Sequence, residues 1–302
     1  MKYLILGGIL GLIIGCSNPQ KEVKPIVQTT KQNLPPLPKT ILLFGEKISL
    51  EDEDIRERLD REIMANAFFH SQTILNMKRA SRYFPVIEPI LKETGIPNDF
   101  KYLPIIESNL ANVTSPAGAK GYWQFMSATA KEYNLIVDDE VDERYNLKKV
   151  TRAACQYLKN AKDSTGSWAL AAAAYNRGIG GIKSDLELQE VNHYFDLDMN
   201  SETARYLFRL IAVKLIMENP EKYGYDVKKM ELYKPFLTES VSVSLPIENL
   251  SQWANQKGIN YKILVKLNPW ILSNKLTKNL GSFELLLPSK STNLKPYAQY
   301  TN

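Results

Sequence analysis

From Asp54 to Pro220 every segment between turn signals repeats its apolar residues at helical spacing, which commits more than half of the chain to helix-on-helix packing. Ile55, Leu59, Ile63 and Ala67 recur every four residues, and the pattern continues through Phe68, Ile74 and Met77. It predicts one amphipathic helix within 46–82, packed on the main domain. Residues 84–109 give two further helical runs divided by Gly95 and Pro97, and Ser127 is placed to cap a short helix over 127–135. Thr151 can cap a helix over 152–164, and Ser167 one over 168–177 that Gly178 closes. The run 201–220 ends at Pro220, which cannot continue a helix. The expected fold class is therefore mainly α.

The texture changes near Phe236, where "TESVSVSL" alternates and "FELLL" follows some forty residues later. Two short strands flanking one or two helices make a small α+β unit over 236–302. Ahead of the helical part, 16–45 is rich in Pro, Lys, Gln and Thr without apolar periodicity and reads as a flexible tether. Before it, Lys2 is followed by an apolar run too short to span a bilayer comfortably, as in an export signal over 1–15. The ending Ile13-Ile14-Gly15-Cys16 resembles the bacterial lipobox, which implies lipid attachment at Cys16. The residue after it, Ser17, is not the aspartate that commonly retains such lipoproteins at an inner membrane, so the outer membrane is expected.

With 302 residues and 44% apolar content the chain can bury a sizeable core and a second, smaller one. Its net charge of +5 and pI near 8.9 arise from mixed charges with no basic block or aromatic–basic nucleic-acid motif. A mildly acidic polymer fits this balance better than a nucleic acid. His70 and His193 have no Cys or His at ligand spacing, so no metal site and no cofactor are expected. Cys155, among alanines on a helix, reads as a buried thiol.

The candidate chemistry lies in residues 102–125, "YLPIIESNLANVTSPAGAKGYWQF". Glu107 ends an apolar run, where neighbours such as Leu103, Ile105 and Ile106 can desolvate its carboxyl and keep it protonated near neutrality, as a general acid requires. The small-residue segment 115–121 allows a ligand to approach the backbone closely. Tyr122 and Trp123 offer flat faces for sugar rings, with core packing as the alternative, and Gln124 offers both a donor and an acceptor. In "AAAAYNRG", Tyr175 and Asn176 stand at a helix end from which polar tips can reach a cleft.

Taken in order, "ES", "SPAGAKGYWQF", "VDERYNL", "AAAAYN" and "ETARY" resemble the lytic transglycosylases with a goose-lysozyme-like catalytic domain, over roughly half of the chain. The resemblance implies a lysozyme-like helical domain over 83–235 that cleaves the MurNAc–GlcNAc β-1,4 bond of peptidoglycan without water or cofactor, leaving 1,6-anhydro ends. It implies that Glu107 is the catalytic acid, followed by Ser108, and that Ser115 and Gln124 line sugar subsites. Tyr175 and Asn176 match a substrate-binding motif, and Tyr206 matches a tyrosine that hydrogen-bonds the glutamate. Tyr122 departs from the commoner Leu or Met. Ordinary glycosidases pair two carboxylates, so Asp142 or Glu143 is the alternative second acid, against a capping role with Arg144. The C-terminal unit is similar to LysM-type glycan-binding modules, with a purely bracing role as the alternative. The expected partners are glycan strands and, through the lipid, a membrane, with the protein monomeric. A lysozyme-type hydrolase and a non-catalytic glycan-binding lipoprotein are the competing functions.

Overall fold

The computed structural model describes residues 34–278, 281–292 and 294–300, so the export signal and Cys16 lie outside the described residues. The first element is a hairpin, β1 (Thr40–Leu43) paired antiparallel with β2 (Glu46–Ser49), turning at Phe44 and Gly45 with both φ positive. Ile41, Leu43 and Ile48 point into the core, and the Phe44 ring stacks on Phe100 with centroids 4.3 Å apart. The tether expected over 16–45 therefore ends before this hairpin. Its "TILLFGEKIS" has strand alternation on either side of a glycine turn.

The single helix expected within 46–82 is instead two, α1 (Glu53–Ala67) and α2 (His70–Thr94), broken at Phe68 and Phe69. Distant groups stabilise the break. The Tyr225 hydroxyl donates to the Ala67 carbonyl at 2.6 Å and Thr73 donates to that of Asn66 at 2.7 Å, taking acceptors that a continuing helix would have used. α2 then runs straight through Pro85 and Pro89, which stand one turn apart on its exposed face, so the carbonyls they leave without donors can be met by water.

A 3-10 turn leads into the short helix α3 (Leu103–Ser108), and α4 (Ser127–Glu132) follows after a loop. Next come α5 (Leu147–Thr165), α6 (Trp168–Arg177), α7 (Ile179–Gln189) and α8 (Ser201–Glu218). α5 begins earlier than expected because Asn146, not Thr151, caps it. Asn200, rather than a residue of the helix itself, caps α8. α6 packs against α5, α7 and α8 at once, and its residues 169–174 are all buried. Alanine and one leucine there let three neighbours approach closely. Cys155 is buried on α5, where burial pushes its thiol pKa up. Among the described residues no helix is long and apolar enough to cross a membrane.

The C-terminal unit runs β3 (Thr238–Ser244), α9 (Leu250–Gln256), α10 (Tyr261–Leu267), β4 (Ser282–Pro288). The two strands pair antiparallel from Thr238↔Pro288 to Ser244↔Ser282, so the sheet closes around the helices. Its own hydrophobic cluster includes Val141 from the helical part. The joint is polar as well. The Asp142 amide donates to Trp270 O at 2.9 Å, and the carboxylate of Glu140, 3% exposed, accepts from Thr277 N, Thr277 Oγ1 and Lys278 N. Burial opposes the charge, yet these hydrogen bonds hold the Glu140 pKa below its ordinary value. Glu140→Ala strands these donors in the joint and is expected to lower unfolding free energy by about 2–4 kcal/mol in urea titration. A loss under about 0.5 kcal/mol, the size of an ordinary surface change, would show that the joint carries little stability.

Candidate functional site

α3 stops abruptly after Ser108. Asn109 and Leu110 both take left-handed φ, and their amides bond back to Ile105 O and Pro104 O at 2.8 and 3.0 Å. Glu107 is thus held on the last turn of a helix whose Leu103 and Ile105 are buried, and the residue itself is partly exposed. α8 packs across α3 and supplies Tyr206, 2% exposed, whose hydroxyl donates to Glu107 Oε1. One turn further along α8, Arg209 Nη2 donates to Ile106 O at 3.0 Å.

Burial raises the Glu107 pKa to about 7, against the opposing Tyr206 hydrogen bond and Arg209 charge, and with a smaller upward push from Glu202. Its carboxyl is therefore held protonated to higher pH than an ordinary glutamate, as a general acid needs. Burial, together with the Glu107 charge, pushes the Tyr206 and Tyr175 phenols well above their ordinary values, so both are hydrogen-bond donors and not bases.

Tyr175, in the last turn of α6, donates to Trp123 O at 2.8 Å, tying that helix to the loop before α4. Asn176 donates to Glu202 Oε1 at 3.1 Å and accepts from Thr203 Oγ1 at 2.8 Å, joining the end of α6 to the start of α8. The loop is closed on itself. Ser115 Oγ accepts from the Ala119 amide at 3.0 Å, and Gln124, at φ 50°, donates through Nε2 to Gly121 O at 2.7 Å and Val113 O at 3.1 Å. Among the described residues Gln124 Oε1 has no partner, which leaves it able to accept from a ligand.

Three expectations are corrected. Trp123 is 0% exposed with Nε1 donating to Thr151 Oγ1 at 2.9 Å, so its faces are closed to a sugar and it is a core ring. Tyr122, 6% exposed, packs on Tyr83 with centroids 4.9 Å apart and is likewise part of the core. Ser108 is buried with Oγ 2.8 Å from Tyr122 O and 3.0 Å from Pro104 O, and it ties α3 to the loop instead of facing a ligand.

The reading of Asp142 or Glu143 as a second acid also fails. Asp142 is clamped by Arg144 through Nε at 2.8 Å and Nη2 at 2.7 Å, and Glu143 accepts from Ile136 N at 2.9 Å and pairs with Lys149. Arg144 in turn donates to Gly118 O and Phe125 O, so this acidic motif holds the loop in place. Arg209 and Glu202 escaped the sequence reading. Their positions three after and four before Tyr206 set them on its face of α8, which is the signal that would have found them.

Residues 84–194 match the family described as Transglycosylase SLT domain, and residues 239–291 match the Soluble lytic transglycosylase C-terminal LysM-like domain. Tyr206 lies beyond the first match. The chain is similar to Membrane-bound lytic murein transglycosylase D of Escherichia coli strain K12, 27% identical over 256 residues, which is 82% of this chain and 55% of that protein. The protein of the same name from E. coli O6:H1 strain CFT073 shows the same identity and coverage. The chain spans about half the length of these relatives. Residues 84–194, which include Glu107, thus match an SLT transglycosylase domain, and the βααβ unit that follows in sequence matches a LysM-like C-terminal domain.

Proposed function

We propose that this protein is a lytic transglycosylase acting on peptidoglycan, with Glu107 as both acid and base. The observation that carries this reading is a glutamate at the end of a buried helical turn whose carboxyl accepts from a buried tyrosine, where burial raises its pKa. Among the described residues the carboxylate whose charge is felt at Glu107 is Glu202, which is exposed and engaged by Asn176. A pair of facing carboxylates, as hydrolytic glycosidases use, is thereby disfavoured.

In the proposed reaction protonated Glu107 gives its proton to the leaving glycosidic oxygen as the C1–O bond of MurNAc breaks. The substrate's N-acetyl oxygen stabilises the charge at C1. The carboxylate then takes the proton of the C6 hydroxyl, and O6 closes on C1, so no water enters and Glu107 ends protonated. Gln124 Oε1 and Asn176 are the proposed sugar contacts, with Ser115 and Tyr175 shaping the loop beside them. Tyr206 positions the carboxyl. Lipid attachment at Cys16, on the periplasmic side of the outer membrane, belongs to the same proposal.

Digestion of purified peptidoglycan tests the reaction. Products one water lighter than reducing-end fragments are expected by mass spectrometry, and reducing ends alone would make the protein a hydrolase. Tyr206→Phe is expected to lower kcat about tenfold, the worth of one orienting hydrogen bond to a charged group. Because that bond lowers the Glu107 pKa, its loss should move the alkaline limb of the pH–rate profile upward. An unmoved limb would deny Tyr206 the positioning role.

A further inference from the structure

A groove of about 400 Å³ lies between the helical part and the C-terminal unit, apart from Glu107 and its partners. Leu147, Phe236, Trp270 and Phe283 give it apolar walls, and Arg82, Lys148 and Lys266 stand at its rim. Among the described residues none of these three cations has a carboxylate partner, whereas Lys149 beside them is paired with Glu143. Arg82 and Lys266 sit over the Phe236 ring, 4.3 and 5.5 Å from its centroid. The carboxylate in the lining, Glu284, accepts from Ser240 Oγ at 3.1 Å. The rim thus carries an excess of positive charge over an apolar floor.

One wall is the edge of a strand. Leu286 spends its amide and carbonyl on the Asn268 side chain, at 2.8 Å each, and so turns them away from β3. In an antiparallel pair the hydrogen-bonding direction alternates, so Glu284, two residues earlier, also directs its amide and carbonyl away from β3. Among the described residues nothing meets them, and the sheet has two strands only. An unpaired donor and acceptor beside an apolar, cationic groove suit an extended peptide with a small apolar side chain and free carboxylates.

We propose that this groove binds the carboxylate-bearing stem peptide of the glycan strand, pairing its backbone with Glu284, seating an alanine methyl against Phe236 and Phe283, and setting carboxylates on Arg82, Lys148 and Lys266. The choice of that peptide rests on the peptidoglycan reading above. The LysM-like unit then takes part in recognising peptide as well as bracing the helical domain.

Calorimetric titration of the full chain with L-alanyl-γ-D-glutamyl-meso-diaminopimelate tests this. Saturable binding that weakens with salt is expected, and amidating every carboxyl of the peptide should weaken it about tenfold or more, as should the doubly substituted Lys148→Gln, Lys266→Gln chain. Absence of saturable binding, equal binding of the amidated peptide, or wild-type affinity in the folded double variant would overturn the proposal. Digestion of intact purified peptidoglycan by the wild type reads the catalytic proposal separately. Cleavage without peptide binding sinks the groove alone, and peptide binding without cleavage sinks the transglycosylase reading alone.

Discussion

Glu107→Gln is expected to abolish release of anhydro products while leaving a folded protein. General acid–base catalysis is commonly worth about 10²- to 10⁴-fold, and here one group serves both halves of the reaction, so the loss should reach the upper end or beyond. The amide keeps the size of the side chain and can accept from Tyr206, but it has no proton to transfer. Wild-type activity should fall as pH rises through about 7, because the acid form of Glu107 is lost there. Stability should follow the same group. Its folded-state pKa is raised, so its contribution is fully present below about 4.5 and is lost as pH climbs through about 7. At pH 8 the wild type carries a buried charge that the variant lacks, and the variant should then be the more stable by about 1–3 kcal/mol, a figure reduced for partial solvent access. Thermal melts at pH 5 and pH 8 check this. A variant that keeps near wild-type activity would remove Glu107 from the mechanism, and a stability difference independent of pH would show that its carboxyl is not desolvated.

Gly121→Ala should be the most damaging single methyl in the loop beside Glu107. Gly121 has φ +80°, and a Cβ there would lie 1.9 Å from the carbonyl oxygen of Arg144, a backbone atom that cannot swing aside. That carbonyl belongs to the residue whose guanidinium holds Gly118 O and Phe125 O, so moving it disturbs the loop from both sides. Left-handed strain adds about 1–2 kcal/mol and forced overlap about 1–3 kcal/mol or more, together about 2–5 kcal/mol and on the order of 10 °C in Tm. Gly118→Ala is the matched control. It has φ +88° but open space around the missing Cβ, so strain alone, about 1–2 kcal/mol, is expected. Calorimetry of the two variants side by side decides the matter, since equal losses would mean that the Arg144 contact adds nothing.

Glu107 and Trp123 differ in how far their surroundings are set by residues near them in sequence. A carboxylate closing an apolar helical run can be read along the chain, because Leu103 and Ile105, which bury that turn in the core, are its neighbours in the same helix. The aromatic pair Tyr122 and Trp123 cannot. Its flanking glycine and glutamine look like an open loop, yet Thr151, 28 residues away, meets the indole N–H and closes the ring from solvent. Asp142 and Glu143 were ambiguous for the same reason, since only the fold shows which cations reach them.

Local patterning by itself determined that this chain is mainly helical, where most of its helices run, where the texture changes to a strand–helix–strand unit, and that a glutamate in an apolar setting is the group to watch. These features depend on period, caps and breakers within a few residues, and such forces act wherever the segment ends up. Tertiary structure alone decided where α1 stops, because a tyrosine hydroxyl 158 residues distant takes its last carbonyl. It also decided that Tyr206 and Arg209 stand over Glu107, that Trp123 is core, and that a cationic groove opens between the two units. Burial and hydrogen-bond partnership are properties of what approaches from elsewhere, and the pKa of Glu107, on which the proposed chemistry turns, is set by that approach.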